Sequence, residues 1–408
     1  MIRSKELKIT GMDYGLILIV LMLVLVGLMA IYSASYKVES PDLKANFSRQ
    51  VVWFLISIVC MAIAIIVPTK VYEVSAYWLY AVAIILLVLT LILNRGSIAR
   101  WINIGPVHVQ ASEFAKIAII LALARYLSHE RRKLNKIKDL AVSFGIVVLP
   151  FLLVAKQPDL GTALVFLAII LPIIFWAGMP SYFLFVIVAP FLIMISSFNY
   201  YTYFLAMIII ALVLLFFKPG LFKAMLFMVV NIIVGILTPL LWNQLHAYQR
   251  HRILTFLGIE MDPHGLNYQV IQSKVAIGSG GFLGKGLLKG TQTQLRFLPE
   301  QHTDFVFSLI GEELGFLGGL FIMVLFLVLL LRGIYIAAKV RNKFSGLMVI
   351  GATAILGYHI IVNIGMTVGM MPVTGLPLPF ISYGGSSLIV CMTLTGMMIN
   401  ASIRRFKY

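Results

Sequence analysis

The chain has 408 residues, 61% of them hydrophobic and only 12% charged, with a mean hydropathy of +1.01. A soluble domain carries about 25% charged residues, so the composition argues against a soluble globular protein and for a polytopic helical membrane protein. The net charge of +17 sits mostly in short segments between apolar runs, which points to membrane orientation and away from nucleic-acid binding.

Twelve apolar runs follow one another, at roughly 13–33, 50–67, 74–94, 113–128, 139–155, 161–177, 180–197, 201–217, 221–242, 305–331, 346–367 and 386–403. About 17–25 apolar residues suffice to cross a ~30 Å hydrocarbon layer. The expected fold is therefore all-α, with 10–12 transmembrane helices in a single membrane domain over 1–408. The first run follows MIRSKELKITGMD and reads as a retained span; its length and the lack of a small-residue cleavage site disfavour a signal peptide. Residues 178–242 hold either three spans or one span with re-entrant pieces, and both choices give the same parity. Cys60 and Cys391 lie inside apolar runs and read as small core residues.

Basic residues set the orientation. Arg3, Lys5 and Lys8, the segment 128–139, Lys218 with Lys223, the segment 332–343 and the tail 404–408 all fall on one side, expected to be cytoplasmic. The other face then carries 34–49, 95–112, the turn at 157–161, a large loop over 243–304 before the tenth run, and 368–385. Nearly every unusual motif lands on that outer face.

ARWINIG supplies Arg100 and Trp101 as interfacial anchors or sugar contacts. In ASEFAKIAIILALARY, Ser112 is a plausible N-cap, and Glu113 and Lys116 are spaced to share one helix face. They are either an ordinary intrahelical pair or a cation held near the membrane surface for a ligand. Asp159 in QPDLG is either an N-cap or a ligand contact. IGSGGFLGKGLLKG fails as a P-loop, because Ser279 stands where the first glycine should be and Gly286 follows Lys285. It reads as a flexible basic loop whose amides and Lys285 can approach a phosphate, or as a plain surface turn. PVTGLPLPFISYGGSS opens the last run, with Ser386 at a helix N-terminus suited to an anion.

Of only 15 Asp and Glu, six lie between Glu260 and Glu313: Glu260, Asp262, Glu300, Asp304, Glu312 and Glu313. Asp304 precedes FVFSLIG, where the loop dips into hydrocarbon and a carboxylate needs a partner or a task. A helix beginning near Thr303 would put Glu312 and Glu313 about 12–14 Å deeper, too far to share a reaction centre. The pattern leaves one acting carboxylate, Asp304, with Glu300 or His302 as neighbours. Cations, helix ends and a base on one face suit glycosyl transfer from a lipid diphosphate. No metal cage is visible; Mg²⁺ accompanying the diphosphate is compatible with this chemistry.

QPDLGTALVF, YQVIQSKVAIGSGGFLGKG, FLPEQHTDFVFSLIGEELG and PLPFISYGGSS together resemble the shape, elongation, division and sporulation (SEDS) family, in the family's order and over most of the chain. PVTGLPLPF is more similar to the RodA-like elongation branch than to the division branch. The resemblance implies a peptidoglycan glycosyltransferase that polymerises lipid II with inversion, forming β-1,4 bonds. It implies Asp304 as the base for the acceptor hydroxyl, with Glu113, Lys116 and Asp159 as matching family positions. It also implies a class B penicillin-binding protein as partner, within the cell-elongation machinery, in the bacterial cytoplasmic membrane. Two departures stand out. The family typically has ten spans, which makes 178–242 an added helical hairpin, and Arg296 replaces an acid expected in some relatives. A flippase for the same lipid precursor, or a non-catalytic scaffold, are the competing readings; a transporter would place ionisable residues near the midplane.

Overall fold

A computed structural model describes residues 12–36, 41–93, 101–104, 107–129, 137–242, 244, 250, 254, 266–295, 297–298 and 300–405. Arg3, Lys5, Lys8, Arg100, Glu260, Asp262 and Arg296 lie outside the described residues.

A helix occupies each of the twelve apolar runs. In chain order the elements are α1 (Tyr14–Tyr36), α2 (Pro41–Ile66), α3 (Thr69–Leu93), β1 (Trp101–Ile104), β2 (Val107–Gln110), α4 (Ala111–Ser128), α5 (Ile137–Lys156) and α6 (Leu160–Trp176). There follow α7 (Ser181–Ser196), α8 (Tyr200–Phe217), α9 (Leu221–Trp242), α10 (Leu266–Ser279), α11 (Thr291–Gln294), α12 (Val306–Lys339), α13 (Lys343–Thr367) and α14 (Gly385–Ile403). Among the described residues nine helices are long and apolar enough to cross a membrane. Of the other three, α6 and α7 are slightly shorter, and α4 carries Glu113, Lys116 and Arg125 in 18 residues.

The all-α expectation has one exception. β1 and β2 form an antiparallel hairpin with Trp101 opposite Gln110 and Ile104 opposite Val107. The alternating β-branched residues of WINI and VHVQ favour extended chain over helix. The hairpin feeds directly into α4, whose N-cap is Gln110 without a side-chain capping bond, so Ser112 lies inside the first turn and is not the cap.

The chain divides into two compact units, Gly178–Met261 and the remainder. In the smaller unit α7, α8 and α9 pack on one another around Ala189, Ile193, Ile210, Leu214 and Phe227. In the larger unit α13 is central and packs against α4, α6, α12 and α14. The apolar windows of α13 and α14 are 72% and 78% buried, against 22% for α2 and α3, so the core lies along the last two helices.

The 34 residues of α12 exceed one crossing. The helix breaks at Gly315, whose φ of 67° and ψ of −164° are accessible to glycine and strained for other residues. The break yields a short helix over 306–314 and a second over 316–339, about 36 Å long at 1.5 Å per residue. It is filled by the glycine-rich segment. The amides of Lys285 and Gly286 donate to the carbonyls of Glu312 and Glu313, both at 3.0 Å. The amides of Phe316 and Leu317 donate to the carbonyls of Gly281 and Phe282 at 2.9 and 3.2 Å. Each broken helix end thus recovers partners it would otherwise lack in hydrocarbon.

Candidate functional site

Residues 300–305 form a turn ahead of α12, which starts at Val306 and not near Thr303. Glu300 has φ 51°, and its carbonyl accepts from the amides of Thr303, Asp304 and Phe305 at 3.2–3.3 Å. Asp304 therefore stands on the turn, partly buried, at the mouth of the helix.

That turn is sewn to the segment 374–384. Asn363 Nδ2, on α13, donates both to the Asp304 carbonyl at 2.9 Å and to the Leu376 carbonyl at 2.8 Å. Ser382 Oγ donates to the Thr303 carbonyl at 2.6 Å and accepts from the Leu378 amide at 2.8 Å. The Tyr383 amide donates to the His302 carbonyl at 2.9 Å. Gly375, with φ 73°, lies so close that a Cβ added to it would sit 3.5 Å from Asp304 Oδ2. A clamped backbone of this kind fixes the point from which the Asp304 side chain extends, which serves positional catalysis.

Glu113 and Lys116 reach the same segment from below. Their side chains are almost fully buried, at 3% and 1% exposure, with Lys116 Nζ 2.5 Å from Glu113 Oε1. Lys116 Nζ also lies 3.0 Å from His359 Nε2, and His359 Nδ1 lies 3.1 Å from the Pro377 carbonyl. The carbonyl can only accept, so Nδ1 carries the proton and Nε2 accepts from the ammonium. A buried chain, Glu113–Lys116–His359, thus ends on the loop beside Asp304. In this arrangement the two residues hold the loop, and neither presents a free charge to a ligand.

Asp159 caps α6. Its Oδ1 accepts from the Thr162 amide at 3.2 Å, and Oδ2 accepts from Thr162 Oγ1 at 3.0 Å and from Gln110 Nε2 at 2.9 Å. Gly161, in the same turn, packs against the Thr374 carbonyl. The motifs QPDLG, ASEFAK and HTDF, far apart in sequence, therefore converge on a fourth, PVTGLPLPF, and the residues just after it.

Lys285 does not join them. Its ammonium bonds to Ser279 Oγ, Thr291 Oγ1 and Glu312 Oε1 at 2.8, 2.7 and 2.8 Å. Glu312 also accepts from the amides of Gln292 and Thr293 at 2.9 and 3.0 Å, capping α11. The expectation of a phosphate-cradling loop is corrected here: the Lys285 and Gly286 amides fill the break in α12, and the lysine neutralises a buried acid. Glu313, equally buried, accepts from Ser33 Oγ of α1 at 2.5 Å. Both glutamates are bound to polar partners away from Asp304, as helical spacing implied.

Glu300 is exposed, its carboxylate accepting from Thr303 Oγ1 at 3.1 Å. His302 is partly buried, its ring 5.7 Å from that of Tyr383. Burial pushes its pKa below the usual histidine value, and the nearby Glu300 carboxylate only partly offsets this. At neutral pH His302 is thus an uncharged hydrogen-bonding group. Ser386 is buried in the first turn of α14, where Gln50 Oε1 accepts from the Gly384 amide at 3.2 Å. Among the described residues, no group of three or more His, Cys, Asp or Glu is arranged to hold a metal ion.

Sequence reading passed over His359, Asn363, Ser382 and Gln50. His359 and Asn363 are four apart inside an apolar run, and polar side chains there carry a signal of their own.

With this geometry in hand, comparison with known proteins is direct. The cell cycle protein model for FtsW, RodA and SpoVE matches residues 14–206 and 200–407. The peptidoglycan glycosyltransferase MrdB of Escherichia coli K12 is 36% identical, covering 97% of this chain and 94% of MrdB. The peptidoglycan glycosyltransferase RodA of Treponema pallidum is 32% identical over 97% of this chain and 99% of its own length. A solved chain described under polymerization and crosslinking by a peptidoglycan synthase complex superimposes with TM-score 0.71 at 29% identity, covering 97% of this chain and 99% of that one. The rod shape determining protein RodA of Thermus thermophilus gives TM-score 0.64 at 26% identity, covering 97% and 98%. The chain belongs to the FtsW/RodA/SpoVE family, and within it is RodA-like. It is a multi-pass membrane protein.

Proposed function

We propose that the chain polymerises peptidoglycan glycan strands by inverting transfer, with Asp304 as the base that takes the proton from the acceptor sugar's 4-hydroxyl. The activity is that of a peptidoglycan glycosyltransferase, as named in its MrdB and RodA relatives. The observation that carries the residue assignment is the convergence of three motifs on a fourth, the segment 374–384, which together with Asn363 clamps the main chain of a partly exposed Asp304. The hydroxyl oxygen attacks the anomeric carbon of the lipid-linked donor, and the undecaprenyl diphosphate leaves with the bonding electrons. A positioned base contributes about 10²–10⁴ in rate. Neutralisation of the leaving diphosphate then falls to Mg²⁺ or to basic side chains.

Sidedness follows from where the helices end. Asp13 before α1, Arg332 and Lys339 in the last turns of α12 and Arg405 after α14 line one hollow. The candidate site lies before α12 and between α13 and α14, at the other end of those helices. Basic flanks support a cytoplasmic location for the first end. The proposal therefore places Asp304 at the outer surface of a bacterial cytoplasmic membrane, where lipid II is available. A class B penicillin-binding protein fits as partner, since the synthase-complex chain covers 97% of this one.

The test is polymerisation of purified lipid II by the detergent-solubilised protein, with and without that partner. Moenomycin silences contaminating glycosyltransferases of the other fold. Glycan from wild type and none from equally folded Asp304→Ala supports the proposal. Equal polymer from both removes Asp304 as base, and none from either points to transport or scaffolding.

A further inference from the structure

At the end of the bundle opposite Asp304, a hollow of about 340 Å³ is lined by Met12, Asp13, Arg332, Tyr335, Lys339 and Arg405, among others. That volume lies within the ~300–1,000 Å³ usual for small-molecule sites. Its residues come from three separate parts of the chain: the start of α1, the last turns of α12, and the end of α14 with Arg405 just beyond it. Among the described lining residues are three cations and one carboxylate. Asp13 is already engaged, with Oδ1 accepting from the Leu16 amide at 3.0 Å and Oδ2 3.6 Å from Arg332. Lys339 Nζ stands 4.9 Å from the centre of the Tyr335 ring, and the phenol lies within electrostatic reach of Lys339, Arg405 and Arg332 together. Arg332, Lys339 and Arg405 therefore line one hollow together with Tyr335. The apolar walls are supplied by Met12, Tyr14 and Ile336.

We propose that this hollow binds a phosphate-bearing anion, with the charged group between Arg332, Lys339 and Arg405 and the Tyr335 hydroxyl as an additional donor. An anionic phospholipid headgroup and free phosphate share this chemistry. The lipid source suits the position at the ends of membrane-crossing helices, where basic pockets meet headgroups. The site is independent of Asp304 and of the reaction assigned to it.

The experiment measures the melting midpoint of the full detergent-solubilised chain, titrated with phosphatidylglycerol, with phosphatidylcholine or with inorganic phosphate. Phosphatidylglycerol is expected to raise the midpoint saturably and phosphatidylcholine to leave it unchanged. Lys339→Gln and Arg405→Gln are each expected to weaken the apparent affinity about fivefold, while Lys223→Gln, an exposed cation of the other compact unit, has no effect. Melting without lipid checks that each variant folds, and Tyr335→Phe offers a variant with every charge intact and a smaller expected loss. Stabilisation by phosphatidylglycerol alone identifies a headgroup; stabilisation by inorganic phosphate as well identifies the phosphate itself. Equal response to both lipids without any response to phosphate, or an equal loss in Lys223→Gln, overturns the proposal.

Discussion

Asp304 and Glu312 lie eight residues apart in one stretch of sequence, yet the fold treats them in opposite ways. Glu312 is fully buried, and its two oxygens accept from a lysine, a threonine hydroxyl and two backbone amides. Asp304 is partly exposed, and the restraint falls on the main chain around it. The first arrangement saturates a carboxylate and joins two pieces of chain. The second fixes the main chain that carries a carboxylate, on a residue that stays partly exposed. An acid near the bilayer thus needs its surroundings read before it is given a task.

The largest effect that would sharpen this contrast is on activity. Asp304→Asn keeps the shape and removes the base, and polymerisation is expected to fall by about 10²–10⁴ with an unchanged melting midpoint. Next comes Lys285→Ala, which leaves Glu312 buried without its cation. Because Lys285 is 26% exposed, the loss falls at the lower end for a broken buried pair, about 3 kcal/mol in a denaturation experiment. Two of the positive-φ glycines, Gly315 and Gly375, give a graded pair. Gly315→Ala forces an alanine into a backbone region used essentially by glycine, costing about 1–3 kcal/mol, and its Cβ would also clash with the Gly284 backbone nitrogen. Gly375→Ala also takes a positive φ, but its nearest neighbour is Asp304 Oδ2 at 3.5 Å, so it should lower activity more than its stability cost explains. Equal behaviour of the two variants would erase the distinction between the sites.

The smallest effect is in pH. Burial lowers the His302 pKa in the folded state. The unfolded chain then binds more protons below about pH 6.5. His302 therefore contributes stability above that value, and the contribution is lost as pH falls toward the folded pKa. His302→Gln should flatten the stability profile between pH 7 and acid, as read by melting midpoints. An unchanged slope would contradict the assigned burial effect.

Much of this was legible in the sequence, for physical reasons. Apolar runs of bilayer length specify helices almost without regard to packing, and all twelve are helical. Spacing along a helix separated Asp304 from Glu312 and Glu313 correctly. The hairpin before α4 escaped because eight residues of alternating pattern are a weak signal beside long apolar runs. The structural role of the glycine-rich loop was not legible because its partners, the broken ends of α12, depend on the backbone at Gly315. The relay through His359 and the clamp by Asn363 need tertiary contacts between residues 13 to 243 apart, which no local pattern encodes.

The central claim is that Asp304 acts chemically while Glu312 acts architecturally. The most direct measurement takes Asp304→Asn and Lys285→Ala through lipid II polymerisation and thermal melting on the same preparations, with the partner present. Asp304→Asn is expected to melt like wild type and make no detectable glycan. Lys285→Ala is expected to melt lower and polymerise in proportion to its folded fraction. Wild-type glycan from Asp304→Asn, or activity lost only in step with folding in both variants, would overturn the division of roles.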